Sequence, residues 1–338
     1  MSLAFSDALA RLLAATTLDP GLVEEAFGAI LAGDWTPVQV GAFATAVRVR
    51  GETAPVLAAA ARALRARMTP VDHGLEMVVD TCGTGGDGAR TINVSTAAAI
   101  VVAACGVPVA KHGNRSISSQ CGSADVVEAL GVAIDLPAEA HATLLREIGI
   151  TFLFAPAHHP ALRHAAQARR ELGVRTIFNA LGPIANPARA THQLIGVYDD
   201  ALRPMLAQVL AELGCARAWV VRSTDGLDEI SPAAPTRISE VADGVVRERV
   251  VGPEDFGAAP SPVEALRGGD AAANANSIET ILSDPQRPGA TAVLLNAAAT
   301  LVVCGKAASP RDALAAAREA MSSGAATRLL SAWRRASR

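Results

Sequence analysis

A strand that runs into a glycine-rich loop and straight on into an apolar helix leaves a chain few folds to choose from. Val78-Val-Asp-Thr-Cys-Gly-Thr-Gly-Gly-Asp-Gly88 leads into Thr91-Ile-Asn-Val-Ser-Thr96 and then into the apolar run Ala97–Cys105. Glycines let backbone N–H groups approach an anion closely, and a helix start adds unpaired N–H groups and the positive end of a dipole. Asn93, Ser95 and Thr96 are expected to cap that helix and to supply hydroxyl donors. This is chemistry for phosphate or pyrophosphate; the alternative is a tight turn that needs glycine for geometry alone. Gly83, Gly85 and Gly88 match GxGxxG formally, but a dinucleotide site wants an acidic residue about 20 positions on. Ala103–Val109 and Lys111 supply none. The nucleotide loop that ends in Lys-Ser or Lys-Thr is excluded too, because neither pair follows Gly88. Asp87 would repel a bare pyrophosphate unless a metal accompanied it.

From Met77 onward short β-branched runs alternate with helical ones. Met77–Asp80, Val107–Ala110, Ile150–Phe154, Gln193–Tyr198 and Trp219–Arg222 are expected as strands, and Ala138–Ile148, Ala201–Leu213 and Ala292–Val303 as helices. That alternation implies an α/β fold with a mostly parallel central sheet covered by helices. Thr236–Val250, centred on Asp243-Gly244, adds a hairpin. The first seventy residues show helices only. Asp19-Pro20 and Thr36-Pro37 mark helix starts, and Gly33 and Gly51 mark ends. Leu9, Leu12 and Leu13 form one apolar stripe, and Val23, Phe27, Ile30 and Leu31 another. The expected division is a small all-helical domain over residues 1–72, completed by about 160–190, and an α/β domain over 73–338. Ala157–Arg170, rich in His and Arg, is the candidate for crossing back.

Half of the residues are hydrophobic but only 3% are aromatic, so the core is built from Ala, Val and Leu. A net charge of -3 lacks the basic field of a nucleic-acid binder. The longest apolar run, Ala97–Ala110, falls short of the ~18 residues of a membrane span. Five cysteines, none in a CxxC spacing, suit a reducing cytosol. Met1–Ala10 carries Asp7 and no basic region, unlike a signal peptide. A cytoplasmic protein is expected.

Lys111-His-Gly-Asn-Arg-Ser-Ile-Ser-Ser119 follows the second expected strand, where ligands gather in α/β sheets. Lys111 is suited to neutralising phosphate, and Asn114 with the serines to donating hydrogen bonds. His112 is a tempting acid or base, although a lone loop histidine is more often structural.

GTGGD, NVST, KHGNRxxSS and GSAD, in this order and spacing, resemble the anthranilate phosphoribosyltransferase family. Arg175-Thr-Ile-Phe-Asn179, Asp225-Gly-Leu-Asp-Glu-Ile-Ser231 and Leu295-Asn-Ala-Ala298 continue the match over nearly the whole chain. The resemblance implies transfer of a phosphoribosyl group from phosphoribosyl pyrophosphate to the amine of anthranilate, in tryptophan biosynthesis. It implies phosphoribosyl pyrophosphate contacts at Gly83, Gly86, Asp87, Thr91, Asn93, Val94, Ser95, Thr96, Lys111, His112, Gly113, Asn114, Arg115, Ser116, Ile117, Ser118, Ser119 and Ser123. It implies magnesium (Mg2+) at Ser95, Asp228 and Glu229, anthranilate at Gly83, Asn114 and Arg169, and catalytic roles for Lys111, Asp228 and Glu229. A homodimer through the helical domain is implied as well. Two departures stand out: Arg222-Ser223, where the family often carries His, and Ala273 before Asn274, where Glu is usual. The rival readings are a pyrimidine nucleoside phosphorylase-like enzyme and a diverged, non-catalytic nucleic-acid-binding relative.

Overall fold

The computed structural model describes residues 2–116 and 120–338. It opens with four helices, α1 (Phe5–Ala14), α2 (Pro20–Ala32), α3 (Pro37–Arg50) and α4 (Ala54–Arg65). Their ends follow the local sequence. Asp19 accepts the Gly21 N–H at 2.9 Å just ahead of Pro20. Thr36 and Gln39 form a reciprocal capping box around Pro37. Gly33 closes α2 in the left-handed conformation. Leu12, Val23, Phe27, Ile30 and Leu31 are buried, but Leu13 is not: it is 61% exposed, beside Val38 and Val49 at 80% each. It stands one position round the helix from Leu12 and so faces outward.

Seven strands form one sheet: β1 (Val79–Gly83), β2 (Val109–Gly113), β3 (Ile150–Phe154), β4 (His192–Gly196), β5 (Arg217–Ser223), β6 (Thr236–Ala242) and β7 (Val245–Val251). Their order is β3-β2-β1-β4-β5-β6-β7. The first five run parallel, and β6 and β7 add an antiparallel hairpin. Asp243 and Gly244 both take positive φ at its turn, 53° and 73°, as a tight two-residue hairpin requires. The connections carry α5 (Val94–Ala104), α6 (Ser123–Ala129), α7 (Ala138–Glu147), α8 (Ala155–His158), α9 (Arg163–Leu172), α10 (Phe178–Leu181) and α11 (Leu202–Glu212). After the hairpin come α12 (Ala271–Ser283), α13 (Ala290–Val303), α14 (Pro310–Ser322) and α15 (Ala325–Ala336).

Helices cover both faces, so the central strands are buried on both sides. On one face Ile100 and Val101 of α5 join Leu294 and Leu295 of α13 in a single core. On the other, Leu206 and Leu210 of α11 meet Ile195 and Val220, and this core runs on into Phe27, Leu57 and Leu64 of the opening helices. α9 lies against α3 and α2. Two strands end later than the sequence implied. β1 extends to Gly83 and β2 to Gly113, because each keeps parallel register with its neighbour to the last glycine. Lys111 and His112 therefore belong to a strand, not to the loop after it.

Candidate active site

The glycine loop and the carboxylate loop meet at the ends of β1 and β4, where Gly83 stands opposite Gly196. Thr84 fastens the first turn: its N–H donates to Gly196 O at 2.9 Å, and its Oγ1 accepts the Tyr198 N–H at 3.0 Å. Beyond β5, the segment 223–231 folds around Asp225, which accepts from the Ser223 hydroxyl and, at 2.6 Å, from Ser231 Oγ. Asn296 clamps its far end, accepting the Ile230 N–H at 2.9 Å and donating to Ile230 O at 3.0 Å. These bonds press Asp228 onto the strand ends. A Cβ on Gly196 would overlap the Asp228 carbonyl, and one on Gly83 would stand 3.2 Å from Asp228 Oδ2. Glycine at both positions makes the approach sterically open.

The acidic side chains converge there with a single lysine. Lys111 is 1% exposed. Its ammonium donates to Thr81 O and, at 3.2 Å, to Ser95 Oγ. The Glu229 carboxylate lies beside the Ser95 backbone at the start of α5, close to Lys111 and Asp228. Asp87 accepts the Ala89 N–H at 3.1 Å through Oδ1, while its buried Oδ2 receives no donor from the described residues. Burial, reinforced by the facing Asp87, pushes Asp228 up to about 7. Burial and the Asp228 charge push Glu229 well above the usual carboxylate range, against the pull of Lys111. Burial also lowers Lys111, with Asp80 opposing. The cluster is short of positive charge.

The rest of the expected constellation is distributed as follows. Val94, Ser95 and Thr96 form the first turn of α5, and the Thr96 hydroxyl is buried without a partner among the described residues. Asn93 precedes them but makes no side-chain cap. Its amide is turned aside to Asn274, which donates to Asn93 Oδ1 at 2.9 Å; the capping expected of Asn93 is thereby corrected. Thr91 forms a β-bridge with Arg267. Gly86 carries a positive φ and its carbonyl accepts from Arg175 Nη2 at 2.7 Å. On the second loop, Gly113 ends β2, and Asn114 exchanges hydrogen bonds with Ser123 Oγ at 3.2 and 3.3 Å. Arg115 pairs with Asp125 and Glu128, and the Ser116 N–H donates to Asp125. Ile117, Ser118 and Ser119 lie outside the described residues. His112 donates through Nδ1 to Gly182 O at 3.0 Å, and burial pushes it well below its ordinary value, so it is neutral near pH 7. Arg169 stands apart on α9, half-buried, with its guanidinium 5.7 Å from the Phe178 ring centre. Burial lowers it, and among the described residues it has no carboxylate partner.

Several residues at the site gave no sequence signal of their own. Asp80, fully buried, accepts the His112 N–H at 3.1 Å and Asn186 Nδ2 at 2.8 Å. Arg175 stacks 3.4 Å from the Tyr198 ring centre while it holds Gly86. Arg175 and Asn296 sit inside motifs visible in the sequence, but only the structure shows what they bind. Among the described residues no group of three or more His, Cys, Asp or Glu is arranged to hold a metal ion unaided, and no helix is long and apolar enough to cross a membrane.

Residues 6–68 match the helical bundle domain of a glycosyl transferase family, and residues 75–327 match its α/β domain. The anthranilate phosphoribosyltransferase of Myxococcus xanthus is 50% identical over 328 residues, covering 96% of this chain and 97% of its own. That of Methylobacterium radiotolerans is 50% identical over 333 residues, covering 98% and 96%. Among solved structures, the anthranilate phosphoribosyltransferase of Thermus thermophilus superposes with a TM-score of 0.91 at 39% identity, covering 98% of this chain and 99% of its own. The Saccharomyces cerevisiae enzyme, in complex with phosphoribosyl pyrophosphate and magnesium, also gives 0.91 at 28% identity, covering 98% and 97%. The chain belongs to the glycosyl transferase family and, within it, to the anthranilate phosphoribosyltransferases.

Proposed function

We propose that this chain transfers the 5-phosphoribosyl group of phosphoribosyl pyrophosphate to the amine of anthranilate, giving N-(5-phosphoribosyl)anthranilate and pyrophosphate in the cytoplasm. The observation that carries the reading is the packing of Asp228 onto the glycine loop and of Glu229 beside the start of α5, where Lys111 binds Ser95. Such a cluster repels a bare diphosphate, so the substrate has to arrive with a cation. Asp228, Glu229 and the Ser95 hydroxyl would hold magnesium, which commonly takes one or two carboxylates together with substrate phosphates and water; the neighbouring Asp87 Oδ2 has no donor among the described residues. Bound magnesium would offset the charge that builds on the departing pyrophosphate.

The chain's own groups do the rest. The glycine loop and the first turn of α5, with the Thr96 hydroxyl that has no partner among the described residues, supply donors for phosphate oxygens. Lys111 fixes Thr81 and Ser95 beneath the diphosphate and keeps a third N–H for it. The second loop, including Asn114, closes over the ribosyl phosphate. Arg169, half-buried beside Phe178 and without a carboxylate partner among the described residues, is suited to the anthranilate carboxylate, with the ring stacking alongside. The bond from C1 to pyrophosphate breaks through an oxocarbenium-like state. The amine attacks from the opposite face and inverts C1; its proton leaves once the C–N bond has made the nitrogen acidic. An aromatic amine is already neutral near pH 7, so no strong base has to act first. His112, neutral and committed to Gly182, is a structural neighbour in this scheme.

Substrates are held between the α/β domain, residues 73–338, and the helical domain, residues 1–72 completed by 160–190. The exposed apolar face of Leu13, Val38 and Val49, continued by Ala42, Ala46 and Leu172, is where a second copy of the chain docks. The direct test of the activity is loss of anthranilate fluorescence on adding phosphoribosyl pyrophosphate and magnesium. A nucleoside phosphorylase would instead turn over a pyrimidine nucleoside with phosphate.

A further inference from the structure

The C-terminal part of the chain reaches the phosphate loop through one buried amide. Asn274, 2% exposed on the first turn of α12, accepts the Gly269 N–H through Oδ1 at 2.7 Å and donates through Nδ2 to Asn93 Oδ1 at 2.9 Å. Asn93 Oδ1 also lies 3.5 Å from Cys121 Sγ, and Asn93 Nδ2 donates to Cys121 O at 3.4 Å. Alongside, the Ile92 N–H donates to Leu266 O at 2.7 Å and the Gly268 N–H to Arg90 O at 2.9 Å.

We propose that Asn274 is a positioning residue for the phosphoribosyl substrate, acting by fixing which end of the Asn93 amide faces the anion. The inference rests on the functional reading above. A side-chain amide has nearly the same shape when turned over, but its donors and acceptor change places. Cys121 favours the observed orientation through contacts of only 3.4 and 3.5 Å. Asn274 enforces it through the shorter bond, because the Gly269 N–H can only donate and so claims Asn274 Oδ1. Asn274 then presents Nδ2 to Asn93, and Asn93 must answer with its oxygen. The Asn93 NH2 group is left with one long bond to Cys121 O and a second N–H for an anion on the α5 side. With the amide reversed, a carbonyl oxygen would meet the phosphate and repel it.

The test is a double-mutant cycle on the full chain with Asn274→Asp, Asn93→Ala and both together. Binding of phosphoribosyl pyrophosphate with magnesium is titrated by calorimetry, both KM values are measured, and thermal midpoints are recorded. An aspartate at 274 still accepts from Gly269 but cannot donate to Asn93. Asn274→Asp is expected to weaken phosphoribosyl pyrophosphate about tenfold, as loss of one such bond near a charge does, and to leave the anthranilate KM unchanged. In the Asn93→Ala background it is expected to add almost nothing. Asn274→Ala, which brings no charge, should show the same non-additivity and serves if the aspartate variant fails to fold. Equal losses in both backgrounds, or a lower midpoint with unchanged substrate binding, would overturn the proposal. Wild-type binding without turnover would defeat the functional reading and leave the amide's role standing.

Discussion

Asp228 and Gly196 illustrate how one missing side chain places another. The Asp228 carbonyl occupies the space a Cβ on Gly196 would need, so Gly196→Ala should push the carboxylate loop away from the glycine loop. The expected outcome is a stability loss of roughly 1–3 kcal/mol in chemical denaturation, with a larger proportional loss of turnover. Arg169 makes a separate prediction. Arg169→Ala should raise the anthranilate KM by about ten- to a hundredfold, as loss of a hydrogen bond to a charge does, without raising that of phosphoribosyl pyrophosphate. Steady-state kinetics with each substrate varied in turn checks it. The buried histidines predict a pH effect. Burial holds His141 and His159 at about 4, below an unfolded value of about 6.5. The unfolded chain therefore binds these protons first, and stability falls as pH drops from about 6.5 toward 4, by about 3 kcal/mol for each residue at most. Asp228 and Glu229, raised in the fold, act in the opposite sense. A comparison of wild type with His141→Asn by urea unfolding at pH 7 and pH 5 isolates the histidine contribution, and the variant should lose less stability between the two.

At the scale of elements, the chain announces its chemistry most clearly where backbone geometry demands particular residues. The glycine loop, the caps at Asp19 and Thr36, and the Asp243-Gly244 turn are legible because each position tolerates few alternatives. Strand ends are less so. Lys111 and His112 are polar and end a hydrophobic run, so the sequence assigns them to a loop. In the structure β2 carries them inward, because Asp80 and Asn186 meet its polar end from β1 and the 182–190 segment. Such a compensation is made between residues 32 and 76 positions apart in sequence, and no local pattern records it. Asn274 is hidden for the same reason: its partners lie 5 and 181 residues away. Asn93 looked like a cap because Asn favours that place, but a tertiary contact claimed its side chain.

Over the whole molecule, one apolar core passes from the opening helices into the sheet, while an apolar face of the same helices remains uncovered in the single chain. If a second copy covers that face, Val38→Glu with Val49→Glu should convert the protein to a monomer by light scattering, with the far-ultraviolet spectrum retained. A wild type that is already monomeric at micromolar concentration would refute the docking proposal without touching the chemistry. The central claim is that the acidic loop and the two backbone turns act together on a metal-bound diphosphate. Its most direct measurement is the rate of anthranilate fluorescence loss in wild type and in Asp228→Ala, Glu229→Ala. Wild type should turn over only with both phosphoribosyl pyrophosphate and magnesium present, and the double variant, folded by its thermal midpoint, should be slower by roughly a hundredfold or more. A folded double variant with the wild-type rate would contradict the account.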